Sequence, residues 1–364
     1  MKKIASVVGA RPNFIKLAPI HKLINSHEYT SRFEHIIIHT GQHYDYKLSE
    51  IFFREFSLPP PDYNLDVGSA SPCLQIAEML KKLEHLFHSN KFDIVLVYGD
   101  TNSTFAGALS ATKSSINVAH IESGLRSFNR EMPEELNRIL TDHISNFLYP
   151  PTRTAINNLN SENIRGEIIN AGDISVEIIR DAETKISNSS ILEKLDLEAK
   201  EYYLFTLHRS ENTNFECLKS VINIFKKIPD LRIVFPIHPR TVNILNELNL
   251  YKELQKCKNV KLIEPVGYID FIKLIKFSIK VVTDSGGTQK EAYLLKTPCI
   301  TIRNYTEWIE TINQGWNILT GIDVDKTTNA IKNWFPEKLS TQNSIFGNGT
   351  TSDIIVNHLQ KVLE

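Results

Sequence analysis

Cysteine is scarce, and its spacing carries no chemistry. The 364 residues hold four, Cys73, Cys217, Cys257 and Cys299, in a pattern that matches neither a metal-ligand set nor a redox pair. They read as reduced, partly buried thiols. An excess of charge of one sign is also missing. The 41 Lys and Arg against 42 Asp and Glu leave a net charge of -1, so no basic field favours nucleic acid or an anionic membrane. Basic residues for a phosphorylated ligand must then be placed locally. No run is apolar enough to span a bilayer, and the chain enters a strand-like run, Ile4 to Val8, with no long apolar signal core. A cytoplasmic protein without membrane contact is expected. Internal repeats and low-complexity tracts are lacking. So is the dinucleotide fingerprint: Gly9-Ala10-Arg11-Pro12 follows the first strand without its glycine spacing, and a nicotinamide cofactor is not indicated.

What is present is an ordinary soluble composition, 41% hydrophobic and 23% charged, in a chain too long for one core. Apolar runs at Ile4–Val8, His35–His39, Ile94–Val97, Val118–Ile121 and Phe147–Tyr149 read as strands. Helical patterns near Phe14–Ile24, Leu48–Phe56, Cys73–Phe87, Ser103–Lys113 and Glu134–Ile144 separate them. The second half repeats the scheme, with strands at Ile168–Asn170, Tyr203–Leu207, Arg232–Pro236, Val260–Ile263, Lys280–Val282 and Cys299–Ile302. Its helices fall near Asn214–Lys227, Val242–Leu248, Ile269–Lys276, Gln289–Leu295 and Ser352–Leu363. Such alternation predicts an α/β protein of two doubly wound, Rossmann-like domains whose strand ends face a cleft. The expected division is 1–172, 173–350 and a C-terminal helix over 351–364 that packs on the second domain or crosses back to the first.

The most informative stretch is Thr283-Asp284-Ser285-Gly286-Gly287-Thr288-Gln289-Lys290-Glu291. A buried strand that turns here into a helix leaves backbone N–H groups converging at the positive end of the helix dipole, a ready place for a phosphate or diphosphate. Two glycines remove the Cβ atoms that would hold an anion away. Glu291, about one turn further in, suits a diol such as a ribose. Phosphate beside sugar hydroxyls points to a nucleotide, although a glycine pair after a strand also serves plain turns.

Other charged residues gather at strand ends. Arg11 follows the first strand and Lys16 lies in the next helix; the plain alternative is a solvated pair. Asp100, in Gly99-Asp100-Thr101-Asn102, stands where an ordinary helix cap would. Glu122, in His120-Ile121-Glu122-Ser123-Gly124, ends a buried strand and is harder to dismiss. Pro133-Glu134-Glu135 is also what a stable helix start favours. His208 and the pair His238 and Arg240 follow two further strands; a single strand-end histidine is more often structural, and two such clusters beside a diphosphate loop put a functional cleft on an equal footing with that reading.

In order along the chain, these segments resemble the non-hydrolysing UDP-N-acetylglucosamine 2-epimerase family. The resemblance runs from Gly9-Ala10-Arg11-Pro12 and His39-Thr40-Gly41-Gln42-His43 through Gly99-Asp100-Thr101-Asn102, His120–Ser127 and Met132–Arg138. It continues through His208–Asn212, His238-Pro239-Arg240, Asp284–Gly287, Thr306-Glu307 and Phe346-Gly347-Asn348-Gly349. It implies a GT-B-like fold with the active site in the interdomain cleft, no redox cofactor, no metal and a homodimer formed through the first domain. The implied reaction interconverts a UDP-2-acetamido sugar and its carbon-2 epimer through elimination of UDP and its re-addition. Carried onto this chain, Asp100, Glu122 and Glu134 share the acid, base and charge-stabilising roles. His208, Arg11 and Lys16 contact the phosphates or steady the leaving UDP. Ser285, Gly286 and Gly287 bind the diphosphate, Glu291 the ribose and Phe271 the uracil, with His238 and Arg240 also lining the substrate site.

The chain departs from many bacterial members, which read Thr-Glu-Arg-Pro-Glu where it reads Thr306-Glu307-Trp308-Ile309-Glu310. A guanidinium is replaced by an indole, which removes a strong phosphate contact. His208-Arg209-Ser210-Glu211 lacks a second arginine, and Gln42-His43-Tyr44-Asp45 lacks the basic residue that often follows. With Gly172-Asp173, these features are similar both to a branch acting on UDP-2,3-diacetamido-glucuronate and to archaeal-type UDP-GlcNAc 2-epimerases. A hydrolysing relative and a GT-B glycosyltransferase remain the rival readings.

Overall fold

A computed structural model describes residues 1–42, 53–337 and 344–364. The segment His43-Tyr44-Asp45 and most of the helix expected over Leu48–Phe56 lie outside the described residues. The chain forms two compact units, Met1–Ile178 with Ser344–Glu364, and Ile179–Asn343. The expected boundary after residue 172 thus lies inside the first unit, and residues 344–350 belong to that unit as well.

The first unit carries a seven-stranded sheet of β1 (Lys2–Val8), β2 (Phe33–His39), β3 (Tyr63–Asn64), β4 (Ile94–Tyr98), β5 (Asn117–Ile121), β6 (Phe147–Tyr149) and β7 (Glu167–Ile168). All its pairings are parallel, in the order β3-β2-β1-β4-β5-β6-β7. Strands covered on both faces read as unbroken apolar runs, which is why Ile94–Tyr98 is buried at every position. The Asn102–Lys113 helix lies close over β1 and β4 at Gly107, where a Cβ would stand 3.0 Å from Val7 and 3.1 Å from Val97. The C-terminal helix, Thr351–Leu363, packs on the Arg11–Ile24 helix of this same unit. Tyr29 donates to Asn357 at 2.7 Å, Tyr149 Oη stands 2.9 Å from His358 Nδ1, and Asp173 N donates to Phe346 O at 2.8 Å.

The second unit carries β8 (Tyr203–Thr206), β9 (Ile233–Pro236), β10 (Val260–Ile263), β11 (Val281–Thr283), β12 (Cys299–Thr301) and β13 (Asn317–Leu319). They form a six-stranded parallel sheet in the order β10-β9-β8-β11-β12-β13. Its core includes Phe205, Phe225 and Phe235, stacked edge to face with centroids 4.9–6.3 Å apart. Each of these rings, fully buried, contributes about 1.5–3 kcal/mol of transfer free energy. The short strands β3 and β13 and the helices Arg153–Ser161, Ser175–Lys185 and Val324–Asn333 were not among the sequence expectations. Among the described residues, no helix is long and apolar enough to cross a membrane.

Both sheets reverse their winding once, between β1 and β4 in the first unit and between β8 and β11 in the second. At such a point the loops leaving adjacent strands diverge to opposite faces and open a crevice at the carboxyl ends. The motifs that carry Arg11, Asp100, His208 and Ser285 all follow these four strands.

Candidate active site

In the first unit, β1 hands over to the Arg11–Ile24 helix with Ala10 as its N-cap. Asn13 fastens this turn: its side chain accepts from Gly9 N and Ala10 N at 3.2 and 3.1 Å and donates to Tyr98 O at 2.7 Å. Lys16, one turn further, is buried and forms an ion pair with Glu122. Gly99 makes room for that pair. It has φ +66, and a Cβ there would stand 2.9 Å from Lys16 Nζ and 3.5 Å from Glu122 Oε1. Glu122 itself lies in the left-handed region at φ +67, a conformation that a non-glycine residue holds only when its surroundings impose it.

The surroundings are a buried polar network. His120 Nδ1 lies 2.7 Å from Asp142 Oδ1, and its Nε2 lies 2.7 Å from the Gly99 carbonyl. Asp142 Oδ2 accepts from Arg126 at 2.7 Å and from Gly124 N at 3.0 Å. Burial pushes the Asp142 carboxyl up, but hydrogen bonds and charge from His120 and Arg126 outweigh it and hold the group below its ordinary range. One carboxylate therefore clamps both loops that carry Asp100 and Glu122.

Asp100 is held by Arg138, whose Nη1 stands 2.5 Å from Oδ2. The guanidinium is buried and also binds Glu135, with Nη2 2.7 Å and Nε 3.1 Å from Oε2. Glu135 in turn accepts from the backbone N–H groups of Ser127 and Phe128 at 2.9 and 2.8 Å. Burial raises the Glu135 carboxyl, while these N–H donors and Arg138 lower it further, leaving it depressed overall. The neighbouring Glu134 is half-buried at the start of the same Pro133–Ile144 helix. Lys16, Asp100, Glu122 and Glu134 thus belong to one end of one sheet, and Arg11 stands half-buried beside them as the first residue of its helix.

The second unit gathers its candidates around Asp284, which follows β11 and is fully buried. Its carboxylate accepts from His208 N at 3.2 Å, Arg209 N at 2.9 Å and Asn212 Nδ2 at 3.1 Å. The helix expected from Gln289 begins earlier, at Gly286, and ends at Leu294. Ser285 causes the shift, because its side chain accepts from Thr288 N at 3.4 Å and so caps the first turn. Gly286 and Gly287 therefore form the helix N-terminus rather than a loop before it.

The two glycines face different things. A Cβ on Gly286 would fall 2.0 Å from Glu307 Oε1, and that carboxylate is buried between Arg303 at 3.1 Å and Arg209 at 3.5 Å. Gly287 is exposed, and its Cβ position is open except for Ser285 Oγ at 4.0 Å. The corresponding turn of the first unit is already filled, since Gln42 Oε1 accepts from Ser103 N at 3.0 Å and Thr101 accepts from Thr104 N at 3.2 Å. The second unit thus offers an anion the more open helix N-terminus.

Glu291 is half-buried on that helix, and Phe271 is buried on the adjacent Tyr268–Phe277 helix. His238 and Arg240 stand exposed at the end of β9, where His238 Nδ1 accepts from Arg240 N at 3.1 Å. Trp308 is buried, with Lys290 Nζ 4.2 Å from its ring centroid. Among the described residues, no three His, Cys, Asp or Glu side chains gather into a metal-binding group. Sequence reasoning assigned no role to Arg138, Glu135, Asp142 or Asp284. Most of their partners lie on separate loops and helices, which a single sequence does not bring together.

The profile described as UDP-N-acetylglucosamine 2-epimerase matches residues 25–360. The chain belongs to the UDP-N-acetylglucosamine 2-epimerase family. Within that family it is 50% identical to a UDP-N-acetylglucosamine 2-epimerase homolog of Methanococcus maripaludis, covering 99% of this chain and 100% of the relative. It is 40% identical to the UDP-2,3-diacetamido-2,3-dideoxy-D-glucuronate 2-epimerase of Pseudomonas aeruginosa, over 99% of this chain and 100% of that one. Among solved structures, the UDP-GlcNAc 2-epimerase of Methanocaldococcus jannaschii in complex with UDP-GlcNAc and UDP superposes with a TM-score of 0.93. That match has 42% identity and covers 99% of each chain. The fold is therefore the GT-B-like one of the family's epimerases, as the ordered motifs imply.

Proposed function

We propose that this chain interconverts UDP-GlcNAc and UDP-ManNAc, or a closely related UDP-2-acetamido pair, by eliminating UDP and adding it back. The observation that carries the proposal is the buried Lys16–Glu122 pair beneath Gly99, beside an Asp100 fixed by Arg138. The carbon-2 proton is weakly acidic, so its removal needs a carboxylate held in hydrogen-bonding reach. That proton goes to a carboxylate as the C1–O bond breaks, and the electron pair of that bond leaves with UDP. The product is a 2-acetamidoglucal. Proton return to the opposite face of carbon 2, with UDP re-adding at carbon 1, completes the epimerisation. Asp100, Glu122 and Glu134 share the base, acid and charge-stabilising roles. Arg11 and His208 meet the diphosphate, whose growing negative charge is the one that preorganised donors stabilise most. Gly286 and Gly287 receive it at the helix N-terminus, Glu291 binds the ribose, Phe271 packs near the uracil, and His238 and Arg240 line the same substrate.

A second reading, epimerisation of UDP-2,3-diacetamido-glucuronate, is favoured by the Pseudomonas aeruginosa relative and by Trp308 where many bacterial members carry arginine. The protein works on a nucleotide sugar in the cytoplasm, as a homodimer through its first unit. Leu136 and Leu140, one turn apart on the Pro133–Ile144 helix, are 39% and 45% exposed and suit burial against a second copy.

The test is to incubate the protein with each UDP-sugar alone and to separate the products. An epimer from either sugar supports the proposal and selects the branch. Free sugar with UDP indicates a hydrolysing enzyme, and no product from either contradicts the proposal.

A further inference from the structure

Asp284 is the most densely hydrogen-bonded carboxylate at the end of β8 and β11, and the roles assigned above leave it unused. It is fully buried, and a buried carboxylate is retained only with its lone pairs occupied. The occupation is lopsided. Oδ2 accepts from His208 N, Arg209 N and Asn212 Nδ2 at 3.2, 2.9 and 3.1 Å. Oδ1 has a longer contact with His208 N at 3.3 Å and faces the ring, 3.5 Å from His208 Nδ1. The His208 side chain is 53% exposed. With Nδ1 turned to the buried carboxylate, Nε2 is the nitrogen directed away from it.

We infer that Asp284 is a positioning residue for His208, holding Nδ1 as N–H so that Nε2 alone exchanges a proton with the ligand. A carboxylate accepts and cannot donate, so the ring nitrogen facing it must carry hydrogen. Hydrogen bonds of this kind are often long before a ligand draws the groups together, and 3.5 Å lies within that slack. The inference rests on the reading that His208 meets the departing diphosphate. As the C1–O bond breaks, its electron pair goes to the diphosphate oxygen. The Nε2 proton of the imidazolium passes to that oxygen and returns to Nε2 when UDP re-adds. The carbon-2 proton follows its separate route to a carboxylate.

The lopsided occupation makes Asp284→Asn informative. Three donors converge on Oδ2, so an amide placed there keeps its carbonyl oxygen on that side. Its NH2 must then face His208 Nδ1, which has to become the acceptor. The ring is forced into the other tautomer, with hydrogen fixed on Nε2; the three contacts on Oδ2 stay intact, and only the longer 3.3 Å contact of His208 N with Oδ1 is lost.

The experiment is 15N NMR of ring-labelled protein saturated with UDP, together with steady-state kinetics. Wild type is expected to show His208 protonated on Nδ1, and Asp284→Asn on Nε2. The variant's kcat is expected to fall by about 10²–10⁴-fold, with KM and melting temperature little changed. A wild-type His208 carrying hydrogen on Nε2 alone overturns the inference, and this readout needs no variant to fold. An Asp284→Asn protein with the wild-type tautomer and undiminished kcat overturns it as well. If the wild type epimerises no UDP-sugar, the functional reading fails while the tautomer measurement still decides the Asp284–His208 relation.

Discussion

Asp142 Oδ1 lies 2.7 Å from His120 Nδ1 with both side chains fully buried. Through this contact one carboxylate governs two loops, because His120 also reaches the Gly99 carbonyl while Asp142 accepts from Gly124 N. The clamp explains how Glu122 is kept at φ +67 without being glycine. Asp142→Ala would leave His120 and the Arg126 guanidinium facing a void. Breaking a buried ionic cluster from one side typically costs about 3–5 kcal/mol. Urea unfolding is expected to report a loss of that order, with turnover falling in parallel. A loss near zero would show that the loops hold themselves.

Gly286 and Gly287 are adjacent yet should respond oppositely to alanine. At Gly286 the new methyl meets Glu307 Oε1 at 2.0 Å, and Glu307 is pinned by Arg303 and Arg209. Gly286→Ala is expected to lower the melting temperature, by overpacking worth about 1–3 kcal/mol. At Gly287 the methyl enters open space, the place the proposed function gives to the diphosphate. Gly287→Ala should keep or slightly raise the melting temperature and weaken UDP binding by calorimetry. Equal effects at the two sites would argue against an anion at this helix end.

Much of this architecture was legible in the sequence, for a physical reason. Strands covered on both faces carry mainly apolar residues: β4 is apolar at every position, and β5 and β8 are broken only by Asn117, His120 and Thr206, so all three could hardly be read otherwise. The edge strands β3 and β13 span two and three residues, and Asn64 and Asn317 break their apolar pattern, whereas the equally short inner strands β11 and β12 sit within longer apolar runs. The Pro133–Ile144 helix was found, but its facing was not. It buries Glu135, Arg138 and Asp142, at i, i+3 and i+7, and exposes Leu136 and Leu140. A polar stripe at helical spacing was the available signal, and hydrophobic periodicity alone points to the wrong face. Asp284 and Glu307 were visible as motif letters, yet their service to His208, Arg209 and Gly286 depends on contacts between separate loops.

A histidine pair sets the response to mild acid. His35 Nδ1 lies 3.1 Å from His21 Nδ1, and burial, with repulsion from His21, lowers His35 to about 3. The unfolded chain binds this proton near pH 6.5, well before the folded one does. Stability from His35 is therefore full above about pH 6.5 and declines as pH falls toward the folded value, by about 1.4 kcal/mol per pH unit. His21 and His39, also lowered by burial, act in the same direction. Urea midpoints between pH 7.5 and 5 should fall for wild type and fall less for His35→Gln. Parallel lines would remove His35 from the explanation.

Glu122→Gln keeps the side chain's shape and its bond to Lys16 but removes the carboxylate. Turnover should drop by roughly 10²–10⁴-fold, the usual worth of a positioned acid or base. UDP affinity should be nearly unchanged, because the open helix end lies in the other unit. Unimpaired turnover would take Glu122 out of the mechanism.

The most direct test of the central claim is proton NMR of UDP-GlcNAc incubated with the protein in deuterated water, repeated with UDP-2,3-diacetamido-glucuronate. Proton removal at carbon 2 requires deuterium to appear there as the epimer forms, in at least one of the two sugars. Epimer that keeps its original carbon-2 hydrogen, or neither exchange nor epimer with either sugar, would contradict the account.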